Sequence, residues 1–260
     1  MVRKHVLTVQ FLLITMLGLV ATRGAVAQPK TTSNIILVHG AWADGSSWSR
    51  VIPLLEARGL NVTAVQLPLT SLADDVATTR RAIAHIVGQH AGPIVLVGHS
   101  YGGVVIGEAG NDPNVVGLVY VAAFAPDQGQ SVLSLLSGSA TPTPLGSHLV
   151  FDAGFFTIDP AGVEQDFAQC LPEVERRIVT ATQGPTSGAA LTDAAISPAW
   201  KTKPSWFVVA KRDRTIPPDL EETMAATIGA QTTTLNTCHL AMLDRPFQVA
   251  DVIADATRGK

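Results

Sequence analysis

The stretch Ile94-Val-Leu-Val-Gly-His-Ser-Tyr-Gly-Gly103 joins four apolar, β-favouring residues to a glycine-rich turn. Within it, Gly98-His-Ser-Tyr-Gly102 has the Gly-x-Ser-x-Gly pattern of a nucleophile elbow, a sharp strand-to-helix turn that carries a serine. The strained backbone of such a turn leaves room for little more than hydrogen two positions before and two positions after the serine, which favours glycine there. Residues compatible with a helix follow from Gly103. This context predicts that Ser100 is a nucleophile at the end of a buried strand.

Apolar, β-branched runs alternate with helical stretches along most of the chain. Short unbroken apolar runs are typical of strands that are covered on both faces. Strands are expected at residues 34–38, 62–65, 94–97, 115–121, 206–210 and 232–235, and helices at 48–58, 72–89, 103–110, 219–228 and 246–257. The alternation predicts an α/β fold with a mostly parallel central sheet of about six strands and helices on both faces.

The alternation lapses at about residues 126–204. Loop-rich pieces there surround two helical candidates, at 160–168 and 173–181, and phenylalanines provide apolar anchors that a disordered linker would lack. We therefore expect a cap insertion laid over the strand ends. Phe155 and Phe156 of this cap, with Trp42 and Tyr101, are candidates to line an apolar substrate pocket; the alternative is that they are ordinary core residues.

The first 27 residues have the features of a secretory signal peptide. A basic start is followed by a short apolar run and by Ala25-Val-Ala27, the small residues expected before a cleavage site. The alternative is an uncleaved membrane anchor, although the apolar run is short for a membrane span. We therefore expect a periplasmic or secreted protein of one domain, residues 28–260, with no stable membrane span after cleavage.

Charge and cysteine content narrow the possible functions. The leader holds three of the 18 basic residues and none of the 21 acidic ones, so the remaining chain has a net charge of −6. This charge argues against nucleic-acid binding. Cys170 and Cys238 match no metal-binding spacing, and in an oxidising compartment they form either a disulfide or two free thiols.

A serine nucleophile needs a base, and the base needs an acid that orients it. His239 follows the last strand candidate, where a loop places it above the carboxyl edge of the sheet; a solvated loop histidine is the alternative. Asp213 follows the strand candidate at 206–210, from which it can reach a histidine in the next loop. Asp193 and Asp244 are the rival acids.

The developing oxyanion also needs preorganised donors. The backbone amide of Tyr101 is one candidate, and the amide of Ala41, after the turn at Gly40, is the second; the alternative is that Gly40 serves only the turn. Because protein groups supply the base, the nucleophile and the oxyanion donors, no metal or organic cofactor is implied.

In these motifs the chain resembles the α/β-hydrolase superfamily over essentially its whole length after the leader. The order serine, aspartate, histidine is that of this superfamily and differs from the orders in chymotrypsin and subtilisin. The segments 39–42, 98–103 and 239–243 look most like the branch of plant methyl-ester esterases and hydroxynitrile lyases and its exported bacterial relatives.

This resemblance implies that Ser100, Asp213 and His239 are nucleophile, acid and base, and that the amides of Ala41 and Tyr101 form the oxyanion hole. It also implies a serine esterase that acts on a small-molecule ester through an acyl-enzyme. The cap does not align with the plant enzymes.

One position separates the activities within this branch. The lyases carry a lysine directly after the histidine, whereas this chain has Leu240, which favours ester hydrolysis. The alternatives are a hydroxynitrile-lyase-like or cofactor-free perhydrolase activity on the same triad, or a non-catalytic receptor for a small ligand.

Overall fold

The structure, a computed structural model, describes Met1 and residues 33–90 and 92–259. Apart from Met1, the expected signal peptide lies outside the described residues. Within the described part of the chain, no helix has the length and apolar character that crossing a membrane requires.

The strands form two separate sheets. In chain order they are β1 (Asn34–Val38), β2 (Asn61–Ala64), β3 (Ile94–Ser100), β4 (Val115–Ala123), β5 (Leu149–Asp152), β6 (Phe155–Ile158), β7 (Thr186–Ser187), β8 (Ser205–Ala210) and β9 (Gln231–Leu235). Six of them pair in the order β2-β1-β3-β4-β8-β9, and each of these pairs is parallel. The expected parallel sheet of about six strands is confirmed.

Helices connect and cover these strands. They are α1 (Ile52–Glu56), α2 (Leu72–Gln89), α3 (Gly102–Ala109), α4 (Val132–Gly138), α5 (Pro160–Gly162), α6 (Glu173–Thr182), α7 (Gly188–Thr192), α8 (Pro218–Thr227), α9 (Ala241–Asp244) and α10 (Pro246–Ala256). Helices α2 and α3 pack together against β1 and β3, while α1 packs against α10, which covers β3, β4 and β8. The two helical layers are those expected of a parallel sheet in an α/β fold.

The central strands have the burial that the sequence indicated. Every residue of β1, β3 and β8 is buried, because helices cover both faces of the sheet. The parallel direction brings the carboxyl ends of β1, β3, β8 and β9 to one edge, where ligands bind in open α/β sheets.

The chain between β4 and β8 forms the cap. Strands β5, β6 and β7 make a small antiparallel sheet in the order β5-β6-β7, with α4 to α7 around it. The sequence had indicated helices and loops here, but no second sheet. Its two-residue strand β7 is too short to produce a readable alternation. The expected fold class, an α/β fold with a parallel central sheet and a cap insertion, is confirmed.

Candidate active site

Ser100 occupies the tight turn between β3 and α3. Its φ angle is +52°, in the left-handed region that non-glycine residues rarely adopt. A Cβ on Gly98 would lie 2.5 Å from the carbonyl oxygen of Gly102, and one on Gly102 would lie 2.6 Å from that of Val38. Both positions therefore require glycine, which is the steric reason expected for a nucleophile elbow.

Asp213 and His239 form a buried pair at the same edge of the sheet. The Nδ1 atom of His239 lies 2.6 Å from Oδ2 of Asp213, and both side chains are inaccessible to solvent. The other oxygen, Oδ1, accepts hydrogen bonds from the backbone amides of Thr215 (2.6 Å) and Ile216 (2.9 Å). Nε2 of His239 has no hydrogen-bond partner among the described residues. The carboxylate therefore orients the ring with Nδ1 protonated and leaves Nε2 as a free proton acceptor.

The two rival carboxylates have other partners. Oδ2 of Asp193 accepts from the backbone amide of Leu72, at the start of α2. Oδ2 of Asp244 accepts from the hydroxyl of Thr237. Each rival carboxylate therefore bonds to a group other than the His239 ring, whereas Asp213 bonds to that ring.

His99 links the elbow to the histidine loop. It directly precedes Ser100, and its Nε2–H donates to the backbone carbonyl of His239 at 3.0 Å, with the two ring centroids 4.6 Å apart. Burial lowers the pKa of His99 well below its usual range, so the ring is neutral. This bond ties the backbone of His239 to the strand that carries Ser100.

The loop after β1 approaches the elbow closely. A Cβ on Gly40 would lie 2.7 Å from Cβ of Ser100. Ala41 and Tyr101 line the same cavity as Ser100. Neither the backbone amide of Ala41 nor that of Tyr101 donates a hydrogen bond to another described residue. These amides are therefore available as donors at the expected oxyanion position.

An apolar cavity of about 320 Å³ opens beside Ser100. Its walls carry no charged side chain; besides Ser100, Ala41 and Tyr101 they are Trp42, Phe124, Val132, Leu133, Leu136, Ser137, Pro142, Thr143, Leu145, Gly146, Leu149, Leu191 and Thr215. Its size lies at the lower end of the range for small-molecule sites, about 300–1,000 Å³.

The expected pocket residues are only partly found there. Trp42 and Tyr101 line this cavity, but Phe155 and Phe156 do not. Phe155 is exposed on β6, and the ring of Phe156 packs 5.0 Å from that of Phe151. The structure therefore places neither phenylalanine on the wall of this cavity, which leucines of α4 and of the β5 region line instead.

A second cavity of about 280 Å³ lies beyond Trp42, which lines both cavities. Leu240, the residue after His239, lines this second cavity together with Phe167 and is absent from the walls around Ser100.

The structure buries two carboxyl groups near the site, those of Asp75 and Glu221, that no sequence pattern had indicated as buried. The hydroxyl of Tyr101 donates to Asp75 at 2.7 Å, and burial raises the pKa of Asp75 to about 6. Glu221 lies beside Asp213; burial first, and this carboxylate second, raise the pKa of Glu221 well above its usual range. Both acids lie on helices distant in sequence from the elbow, and no local pattern distinguishes them from surface carboxylates.

The cap is crosslinked to the histidine loop. Cys170 of the cap and Cys238, the neighbour of His239, form a disulfide with Cα atoms 5.8 Å apart, a separation typical of such bridges. Of the two alternatives that the sequence left open, a disulfide or two free thiols, the structure has the disulfide.

Among the described residues there is no group of three or more His, Cys, Asp or Glu side chains arranged to hold a metal ion.

The arrangement agrees with comparisons against known proteins. The model of the alpha/beta hydrolase family matches residues 35–252, and the chain therefore belongs to this family. A pyrethroid hydrolase of Sphingobium wenxiniae is 38% identical over 102 residues, which cover 36% of this chain and 36% of that protein. Methylesterase 8 of Arabidopsis thaliana is 32% identical over 141 residues, 47% of this chain and 52% of that protein.

The chain thus spans about a third to a half of the length of these curated relatives. Similarity to solved structures extends further. The crystal structure of a pyrethroid hydrolase from Sphingobium faniae JZ-2 covers 88% of this chain and 98% of that one, with a TM-score of 0.74 at 22% identity. The resemblance to the esterase branch that the motifs indicated is confirmed at the level of family and fold.

Proposed function

We propose that this protein is a serine hydrolase that cleaves a neutral carboxylic ester through an acyl-enzyme. One observation carries the proposal: the buried Asp213–His239 pair, with a free Nε2, lies at the sheet edge that also holds the elbow serine Ser100. A nucleophile, a base and a residue that orients the base are the parts this reaction needs.

In the acylation step, Nε2 of His239 takes the hydroxyl proton of Ser100 while Oγ bonds to the ester carbonyl carbon. The carbonyl electron pair moves to its oxygen, which the amides of Ala41 and Tyr101 stabilise. When the intermediate collapses, the bond to the alkoxide breaks and His239 protonates this leaving group. Water repeats the sequence on the acyl-enzyme, releasing the acid and restoring Ser100.

The cavity supports an apolar substrate. Its walls are mostly apolar and carry no formally charged side chain, so a carboxylate or ammonium group on the substrate would be desolvated without a charged partner. The relatives named as a pyrethroid hydrolase and a methylesterase support ester cleavage as the reaction. Leu240 stands where the lyases carry a lysine, and a leucine has no amino group to interact with a cyanide leaving group, which supports hydrolysis over the lyase reaction.

The test compares the wild type with Ser100→Ala on p-nitrophenyl esters of increasing acyl length. The wild type should release a burst of nitrophenol and gain the mass of one acyl group, whereas Ser100→Ala should lose about 10⁴-fold or more in kcat with its fold intact. Full turnover by Ser100→Ala would overturn the proposal. Cyanide release from cyanohydrins without ester turnover would favour the lyase, and stabilisation by esters without any turnover would favour a receptor.

We also propose that residues 1–27 direct export to the periplasm or the medium. The basic and apolar character of this segment and the disulfide both support an oxidising compartment. Fractionation of expressing cells, with N-terminal sequencing, should yield a chain that starts at Gln28 outside the cytoplasm. A full-length chain in the cytoplasm or membrane fraction would contradict this.

A further inference from the structure

Trp42, the residue after the expected oxyanion donor Ala41, has a strained backbone. Its φ angle is +55°, in the left-handed region. Such a conformation is unfavourable for a bulky residue and persists only where surrounding contacts hold it.

The contacts that hold Trp42 come from the cap. Its backbone amide donates to Oγ1 of Thr186 at 3.0 Å, and its indole Nε1–H donates to the carbonyl of Phe156 at 2.9 Å. Its ring also meets that of Phe167 edge-on, with centroids 6.3 Å apart. Three cap residues, Phe156 of β6, Thr186 of β7 and Phe167, therefore hold both the backbone and the side chain of Trp42 in the loop after β1.

The hydroxyl of Thr186 is well placed to accept the hydrogen bond from the backbone amide of Trp42. Thr186 is fully buried on β7, 144 residues away from Trp42 along the chain. The nearest acceptor for its own hydroxyl proton is the carbonyl of Gly184 at 3.5 Å, which leaves a lone pair for the amide of Trp42. Loss of this hydroxyl would leave the buried amide of Trp42 without a partner and the strained turn without its main polar support.

We propose that Thr186 is a positioning residue for the oxyanion hole. It fixes the peptide between Ala41 and Trp42, and thereby the direction in which the adjacent amide of Ala41 points. This inference rests on the proposed esterase function, since the Ala41 amide matters to the rate only if an oxyanion forms beside Ser100.

The role has a kinetic signature that a structural role lacks. The oxyanion exists only in the tetrahedral intermediates, so a misdirected Ala41 amide weakens the transition state and leaves ground-state binding unchanged. A trifluoromethyl ketone reports the same state, because addition of Ser100 Oγ places the electron pair on the ketone oxygen and the serine proton on His239.

The experiment uses the full chain and the variants Thr186→Val, Thr186→Ser and Ser187→Ala. Val keeps the shape of Thr without the hydroxyl, and Ser keeps the hydroxyl. Ser187→Ala is the matched control, because Ser187 Oγ accepts from the amide of Ala189 and its loss perturbs the same cap segment without touching Trp42.

Thr186→Val should lower kcat about 10- to 100-fold, less than the 10²–10³ that follows complete removal of an oxyanion donor. KM should stay within about twofold, and affinity for the ketone should fall in parallel with kcat. Thr186→Ser and Ser187→Ala should stay within about threefold of the wild type in kcat.

Unchanged kcat in Thr186→Val, a raised KM with kcat retained, or an equal kcat loss in Ser187→Ala would each overturn the proposal. If Thr186→Val does not fold, Thr186→Ala takes its place, with the same expected split between kcat and KM. Failure of the positioning role is distinguishable from failure of the esterase proposal, since the former leaves the ester turnover of the wild type and its loss in Ser100→Ala unchanged, whereas the latter removes one or both of them.

Discussion

Removing the Cys170–Cys238 disulfide tests how the cap supports the catalytic edge. The bridge joins residues 68 positions apart, from the cap on one side to the neighbour of His239 on the other. We consider the double variant Cys170→Ser/Cys238→Ser, which removes the crosslink without leaving a single reactive thiol.

The loop length sets the expected magnitude. The chain-entropy relation for a closed loop of 68 residues gives about 4 kcal/mol of stabilisation at 25 °C. At about 2–4 °C per kcal/mol for a domain of this size, the melting temperature should fall by roughly 10–15 °C. Catalysis should suffer as well, because freeing Cys238 loosens the backbone next to His239, and small displacements of a reacting group reduce rates by up to about 100-fold.

The assay is thermal unfolding by circular dichroism, with kcat measured at 25 °C where the variant is still folded. Treatment of the wild type with a phosphine reductant should reproduce the fall in melting temperature, and the same treatment should leave the double variant unchanged. The reasoning fails if reduced wild type, shown by thiol titration to carry two free thiols, melts at the same temperature as the oxidised protein.

Two further predictions concern the buried carboxyl of Asp75 and the size of the cavity. The pKa of Asp75 is raised to about 6, so the native state holds this proton more tightly than the unfolded chain, and stability should fall by about 2 kcal/mol as the pH rises from 4 to 7. Asp75→Asn should remove this contribution, as measured by urea unfolding across that pH range; an unchanged slope would contradict it. In the cavity, kcat/KM should rise about fourfold per methylene of the acyl chain until the space is filled. Leu136→Trp, which narrows this wall, should move the optimum to shorter esters, whereas an optimum at the same length would show that the acyl chain lies elsewhere.

Local sequence was sufficient to predict a structural feature where that feature depends on a short-range steric requirement or on the period of apolar residues. The elbow glycines at 98 and 102 are demanded by backbone atoms within a few ångströms, and the helix expected at 72–89 is observed as Leu72–Gln89. Parallel strands that end in loops at one edge also explain why Ser100, Asp213 and His239 were predicted to lie at one edge: Ser100 is the last residue of β3, and Asp213 and His239 lie in the loops after β8 and β9.

The strands of the cap and the contacts of their residues could not be predicted in the same way. Thr186 lies on a two-residue strand and Phe155 and Phe156 on a four-residue one, lengths at which alternation carries little information. The partners of these residues are distant in sequence, as with Thr186 and Trp42, so no local propensity records them.

The sequence by itself therefore determined the α/β fold, the elbow around Ser100 and the chemical types of its partners, because these depend on the period of apolar residues and on the steric limits of one turn. Tertiary structure alone decided that Cys170 reaches Cys238 and that a cap threonine supports the turn at Trp42. Each of these depends on distances between segments that are tens to more than a hundred residues apart, which packing sets and local sequence does not encode.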